Sequence, residues 1–179
     1  MNRLRPDQKL KVRTLTGLRA ETIRLPDPDR IVHLQFRRFA GCPICNLHLR
    51  SIARGHEEIV AAGIREIVVF HTTASEMSPH QSQLPFAVIA DPSKHLYREF
   101  GVESSPRAVL DPRSWLTAMR SLFYASMTDA MKAEGGRMGL PADFLIASDG
   151  RILALKYGKH AADQWSVDEL IEIKNKTRA

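Results

Sequence analysis

Cys42 and Cys45 are the residues of this chain whose type and spacing could do chemistry, and they are its two cysteines. Two residues separate them in the segment GCPIC, one of which is Pro43. Paired thiols at this spacing can exchange electrons: one thiolate attacks a sulfur or oxygen atom of the oxidant, and the second thiol closes a disulfide bond with the first. The same spacing also occurs in half of many zinc sites, and small buried cysteines can lie close together without any chemistry.

A metal site at this position would need ligands from elsewhere in the chain. Structural zinc is held by about four ligands, and one C-x-x-C supplies half of them. Histidines would have to complete the set, but no two of the seven are spaced to share one helical face as H-x-x-x-H. Redox chemistry is therefore the favoured interpretation, while a metal site and two structural cysteines remain as alternatives.

The two cysteines are predicted to open a helix that follows a buried strand. Ile31–Phe36 is apolar and rich in β-branched residues, which indicates a strand, and a helix is predicted from Pro43 to Ala62 with Gly63 closing it. Proline suits the first helical position because its missing N–H would have no partner there. Cys42 then becomes the N-cap residue, and the helix dipole favours its thiolate.

The predicted helix makes the two sulfurs unequal. Cys45, Leu49, Ile52 and Ala53 recur at helical spacing, so Cys45 should face the sheet while Cys42 stands at the exposed tip. Helix geometry thus favours Cys42 as the attacking thiol and Cys45 as the resolving thiol.

Several basic and imidazole side chains could tune these thiols. Arg37 and Arg38 precede the pair and would add positive charge if they turn toward it. His48, in the second helical turn, is either a solvated surface histidine or a group that adjusts the thiol pKa. His71 follows a buried strand at its carboxyl end, where it either donates hydrogen bonds to the site or belongs to an ordinary loop.

The remaining elements alternate between strands and helices, which predicts an α/β fold with helices on both faces of a mixed sheet. Residues 1–30 are expected to form an arm or hairpin, and residues 31–179 a single domain. After the first strand and helix, the sequence predicts the strands Ile64–Phe70 and Phe86–Ala90, and then a helix that Asp91 opens and Gly101 stops. A short strand, Arg107–Leu110, and a long helix from Asp111 to Glu134 are predicted next. The chain is predicted to end with a hairpin of Asp143–Ser148 and Arg151–Gly158, which turns at Asp149–Gly150, and a last helix capped by Ser166 and Glu169.

Composition narrows the function classes. The net charge is +6, but the basic residues are scattered and form no stripe with aromatic residues, so no nucleic-acid partner is expected. No apolar run reaches the length of about 18 residues that a membrane span needs, and the first residues show no secretory pattern. A cytoplasmic, reducing compartment is therefore the expectation, and a C-x-x-C in that compartment is more often catalytic or metal-binding than structural.

The order of these elements and several segments resemble a known family. The segments FRRFAGCPICNLHLR, DPSKHLYREFGV, GLPADFLI and KYGKHAADQWSVDEL are similar to the peroxiredoxin-like branch of the alkyl hydroperoxide reductase/thiol-specific antioxidant superfamily. The resemblance implies a thioredoxin-like three-layer α/β/α sandwich, in which the long helix Pro112–Glu134 is an insertion. It also implies that Pro141 is a cis-proline facing the cysteine pair.

The resemblance also implies a different assignment of the attacking cysteine. Peroxiredoxins carry Thr or Ser three residues before the peroxidatic cysteine, so Cys45 takes the peroxidatic position here and Cys42 replaces the Thr. Pro141 stands where the family has an arginine. These departures favour disulfide exchange over peroxide reduction, and the order in which the two thiols react stays open.

The resulting prediction is a thiol-dependent oxidoreductase that reduces peroxides or disulfides through Cys42 and Cys45. A protein disulfide reductase without peroxidase activity and a non-enzymatic redox-sensing or metal-binding module are the alternatives. Thioredoxin or glutathione is the expected reductant, no dissolved cofactor is expected, and the long helix could form a homodimer surface.

Overall fold

The computed structural model describes residues 3–38, 43–77, 79–102 and 139–177. Cys42, the predicted strand Arg107–Leu110 and the predicted inserted helix lie outside these ranges, as does any dimer surface on that helix. Seven strands lie within them: β1 (Arg13–Thr16), β2 (Thr22–Leu25), β3 (Ile31–Arg37), β4 (Ile64–Phe70), β5 (Ala87–Ala90), β6 (Ala142–Ile146) and β7 (Ile152–Tyr157).

Five of these strands form the central sheet, in the spatial order β5-β4-β3-β6-β7. β3, β4 and β5 are parallel, whereas β6 is antiparallel to β3 and β7 is antiparallel to β6. Gly150, with φ of +87°, forms the predicted tight turn between β6 and β7. The sheet is therefore mixed, as predicted, and the carboxyl ends of its three parallel strands lie at one edge.

The helix that carries the cysteine motif is shorter than predicted. α1 spans Pro43–Arg54 and α2 spans His56–Ala61, so the helix expected to run unbroken to Ala62 is interrupted at Gly55. A Cβ on Gly55 would lie 2.9 Å from Cγ2 of Val167, because the carboxyl-terminal part of the chain approaches closely there. Glycine permits that approach at the expense of helix propensity. Gly63, with φ of +76°, follows α2 as predicted.

Three further helices lie in the described ranges, together with a 3₁₀ turn at Ala74–Glu76: α3 (Pro79–Ser82), α4 (His95–Glu99) and α5 (Val167–Lys176). The Asp91 carboxylate accepts the backbone N–H groups of His95 at 2.9 Å and of Leu96 at 2.8 Å, which satisfies donors of the first turn of α4. Ser166 and Glu169 form the predicted capping box of α5. No helix in these ranges has both the length and the hydropathy that crossing a bilayer requires.

Apolar side chains cover both faces of the sheet. One core joins alternate residues of β3, β4 and β6 to α4 and to the β1–β2 hairpin, with Phe36, Phe144 and Phe100 at its centre. The other joins the opposite face to α1, α2 and α5, with Leu49, Ile52 and other residues fully or almost fully buried. Helices thus lie on both faces, which confirms the predicted α/β/α layering.

The amino-terminal segment is bonded to both outer strands of the sheet. Leu18 donates its backbone N–H to the Val88 carbonyl of β5 at 2.7 Å. On the other side, the Ile152 backbone of β7 exchanges hydrogen bonds with Asp7 and Gln8 at 2.9 and 3.0 Å. Residues before β3 therefore follow the sheet from one edge to the other.

Candidate active site at the start of helix α1

Cys45 lies in the first turn of α1, since the helix begins at Pro43. Its side chain is fully buried. Leu49 and Ile52 are buried on the same side of the helix, so the predicted sheet-facing position of Cys45 is confirmed. Two effects oppose each other at a buried thiol in this position. The helix dipole stabilises the thiolate, whereas the loss of solvation destabilises it.

Tyr97 is a neighbour of Cys45 that the sequence analysis missed. Its hydroxyl group donates toward the backbone carbonyls of Arg37 and Val69, the latter at 2.9 Å, at the ends of two parallel strands. Burial raises the pKa of Tyr97 well above its usual value, and the charge of a nearby Cys45 thiolate raises it further. The phenol therefore stays neutral beside the thiol, so it adds no negative charge that would oppose a thiolate.

His71 lies at the carboxyl end of β4 and contacts the same tyrosine. The His71 and Tyr97 rings are 5.5 Å apart between centroids and nearly perpendicular. The His71 side chain is buried, and neither ring nitrogen has a hydrogen-bond partner among the residues described. Burial lowers its pKa to about 4, and the positive charges of Lys94 and Arg38 contribute, so the ring is neutral.

Arg38 and Gly139 complete this edge of the sheet. A Cβ on Gly139 would lie 3.3 Å from Nε2 of His71 and 3.4 Å from Cγ of Arg38. The Arg38 side chain is also buried. The structure thus brings Arg38 and His71 together, two of the residues selected from the sequence, at the carboxyl ends of adjacent parallel strands.

Arg37 points the opposite way, into a buried polar network between the sheet and α1. Its guanidinium donates to Asp143 Oδ1 at 2.6 Å and to Gln35 Oε1 at 2.6 Å. All three side chains are fully buried. Burial alone would raise the pKa of Asp143, but Arg37 and His33 outweigh it and hold that pKa well below its usual range.

His33 links the two carboxylates of this network. Its Nδ1 lies 2.9 and 3.0 Å from the two oxygens of Glu66, and its Nε2 lies 3.2 Å from Asp143 Oδ1. An ionised carboxylate can only accept hydrogen bonds, so both ring nitrogens must donate and the ring is an imidazolium. Burial alone would lower the pKa of His33, but Glu66 and Asp143 raise it to about 9. Gln35 donates to Glu66 and closes the network.

His48 belongs to this network rather than to the solvated surface. Its Nε2 lies 3.2 Å from the Arg37 guanidinium. A guanidinium has no acceptor, so Nε2 must accept and the ring carries its proton on Nδ1. Burial and the charge of Arg37 lower the pKa of His48 to about 3. The interpretation of His48 as a solvated histidine is therefore wrong, because the partly buried ring contacts the buried Arg37 guanidinium.

The predicted cis peptide bond before Pro141 is also wrong. Leu25–Pro26 is the one cis bond in the described ranges, so the Leu140–Pro141 bond is trans. Pro141 leads directly into β6, and its carbonyl accepts the Gly158 backbone N–H at 2.9 Å. This hydrogen bond continues the β6–β7 pairing by one position. Whether Pro141 faces the cysteine pair stays a prediction.

No group of three or more His, Cys, Asp or Glu side chains in the described ranges is arranged to hold a metal ion. The His33 set does not qualify, since both ring nitrogens face carboxylates as donors and leave no lone pair for a metal.

The comparisons with known proteins identify the family and the fold. The model of the AhpC/TSA antioxidant enzyme family matches residues 51–160, which is more than half of the chain and begins after Cys45. No curated protein matches the chain.

Solved structures with the same fold include two peroxiredoxin relatives and a disulfide-exchange protein. Peroxidoxin BcpB from Mycobacterium tuberculosis is 14% identical with a TM-score of 0.64, over 97% of this chain and 96% of the other. A cysteine-to-serine variant of peroxiredoxin 6 of Arenicola marina is 11% identical with a TM-score of 0.69, over 98% and 74%. A Chlorobium tepidum protein named as a thiol:disulfide interchange protein DsbE is 20% identical with a TM-score of 0.60, over 97% and 96%. At these identities the likeness establishes the thioredoxin-like fold.

Proposed function

Because the chain belongs to the AhpC/TSA antioxidant enzyme family, a family of thiol-dependent oxidoreductases, we propose that it reduces disulfides or peroxides through Cys42 and Cys45. The observation that carries the proposal is the place of Cys45, buried in the first turn of α1 at the carboxyl edge of the parallel strands. Cys42 precedes the first helical residue by one position. Only two residues separate the two cysteines in the sequence, and Cys45 lies at a helix N-terminus, which favours the thiolate form of a cysteine.

In the disulfide reaction, we expect Cys42, which precedes the helix in the sequence, to attack first. Its thiolate bonds to one sulfur of the substrate disulfide and releases the other as a thiolate. The Cys45 thiolate then attacks Cys42, which forms the Cys42–Cys45 disulfide and releases the second substrate thiolate. Two electrons pass from the protein to the substrate. The full burial of Cys45 supports the resolving role, because a large substrate cannot reach it directly.

In the peroxide reaction, the order reverses as the family register implies. The Cys45 thiolate attacks one peroxide oxygen and becomes a sulfenic acid, while the other oxygen takes a proton and leaves as an alcohol or water. Cys42 then attacks the Cys45 sulfur, and water leaves. Both routes end in the same disulfide. Thioredoxin or glutathione would restore the dithiol by thiol–disulfide exchange. The cytoplasmic location and the homodimer stay predictions.

Two serine variants test the proposal and separate the routes. Cys42→Ser and Cys45→Ser are treated with hydrogen peroxide or with a disulfide protein such as insulin, and the adducts are mapped by mass spectrometry. Disulfide exchange predicts a stable mixed disulfide on Cys42 in the Cys45→Ser variant. Peroxide reduction predicts a sulfenic acid on Cys45 in the Cys42→Ser variant. Wild-type protein that forms no Cys42–Cys45 bond with either oxidant contradicts the proposal.

A further inference from the structure

The network between the sheet and α1 is balanced in charge. Arg37 and the His33 imidazolium contribute two positive charges, and Glu66 and Asp143 contribute two negative charges. All four side chains are completely removed from solvent. Buried charges interact over longer distances than exposed ones because water and salt do not screen them. The net charge of this set is zero. A change in that net charge would therefore shift the pKa values of neighbouring titratable groups.

Two neighbours of Arg37, His48 and Tyr97, show that the set lies near Cys45. His48 accepts from Arg37 and stands three residues after Cys45 on α1, hence one turn along the same side of the helix. On the other side, Tyr97 donates to the Arg37 backbone carbonyl. The charges of Cys45 and of Arg37 act on this same phenol in opposite senses. Cys45 and the charged set therefore lie within electrostatic reach of one another.

We propose that His33, Arg37, Glu66 and Asp143 act as positioning residues that set the acidity of the Cys45 thiol through the net charge they hold beneath α1. The inference rests on the proposed function, because it concerns the thiol that takes part in that reaction. With His33 protonated the set carries no net charge, so the helix dipole can favour the thiolate. Loss of the His33 proton leaves one buried negative charge, which opposes a thiolate.

His33 is the member whose protonation decides the charge of the set. The groups that face it or the set from the elements packed around it are Arg37 on β3, Glu66 on β4, Asp143 on β6, His48 on α1 and Lys156 on β7. His48 is neutral, and Lys156 is balanced by an ion pair with Asp163 at 2.7 Å. The guanidinium does not titrate in proteins, and Arg37 and His33 outweigh burial to hold the pKa of Asp143 well below its usual range.

The test measures the acidity of one thiol. In a Cys42→Ser background Cys45 is the only cysteine, and its ionisation is followed by the ultraviolet absorbance of the thiolate as pH is raised. His33→Gln should raise the thiol pKa by about one pH unit, which is the order of shift that Coulomb's law gives for a buried unit charge within about 10 Å at an effective dielectric constant of about 20. Adding Glu66→Gln removes the uncompensated charge and should restore the original value.

Lys176→Gln is the matched control. It also removes one positive charge, but from an exposed ion pair with Glu172, where solvent screens it, and should leave the thiol pKa unchanged. A shift of the same size in His33→Gln and in the double variant would mean damaged packing rather than charge, and would overturn the proposal. No shift in either variant would also overturn it.

A reciprocal measurement avoids any change in the network. Because the coupling is mutual, the imidazole resonances of His33 should titrate at a lower pH in Cys45→Ser than in Cys42→Ser, by the same amount. Equal titration in the two proteins contradicts the proposal even if His33→Gln fails to fold. Neither measurement requires catalytic turnover. The proposed redox activity can therefore be absent while the electrostatic coupling is present, and the coupling can be absent while the activity is present.

Discussion

Raising the pH should destabilise the fold through a single buried histidine. The folded protein holds His33 at a pKa of about 9, against 6.5 for an unperturbed imidazole. A raised pKa means that the imidazolium contributes stability that is fully present below pH 6.5 and is lost as the pH rises through about 9. The difference of about 2.5 pH units corresponds to about 3 kcal/mol. That loss would be a large fraction of the stability of an ordinary domain.

The assay compares urea unfolding at about pH 6 and about pH 10 in the wild type and in His33→Gln/Glu66→Gln. The double variant keeps the network neutral but removes the titrating pair, so every other group cancels in the comparison. At a slope of about 2 kcal/mol per molar urea, the wild-type midpoint should fall by about 1.5 M more than that of the variant. Parallel losses in the two proteins would refute the assignment of His33 as a buried imidazolium.

Three further perturbations test the described contacts. Folding lowers the pKa of His71 to about 4, so the neutral ring contributes stability above pH 6.5 that is lost as the pH falls toward 4. His71→Gln should therefore lose less thermal stability than the wild type between pH 6.5 and 4. An unchanged pH profile of the melting temperature contradicts the buried neutral ring. Tyr97→Phe leaves two buried carbonyls without their hydroxyl donor and should cost about 1–3 kcal/mol in urea unfolding, whereas a neutral effect would mean that water replaces the hydroxyl. Gly150→Ala places a Cβ 2.9 Å from the Leu10 carbonyl at a φ of +87° and should cost more than about 1 kcal/mol, with Ser148→Ala as a control on the exposed side of the turn.

Local patterns in the sequence were enough to predict most of the sheet. β4 begins and ends at the predicted residues, because a run of β-branched and apolar residues between two breaks leaves few alternatives. The break in the cysteine helix at Gly55 could not be predicted, since it depends on the approach of Val167 from a distant part of the chain. The capping box of α5, by contrast, lies within four residues and was correctly predicted.

The buried network leaves a signal in the sequence of β3. His33, Gln35 and Arg37 alternate with apolar residues along β3, so they share one face of a strand at the centre of the sheet. Polar side chains on such a face need buried partners. Which partners they find depends on strand order: Glu66 and Asp143 lie 33 and 110 residues from His33. The alternation could have predicted the network, but not its members.

The course of the first residues around the sheet bears on how the protein avoids aggregation. Unpaired backbone groups along an outer strand can recruit a strand from another chain. In this fold, hydrogen bonds from Leu18 to β5 and from Asp7 and Gln8 to β7 occupy some of those groups on both sides. The residues before β3, which supply none of the proposed catalytic groups, therefore cover part of both edges of the central sheet. Truncating these residues would expose both edges to association with strands of other chains.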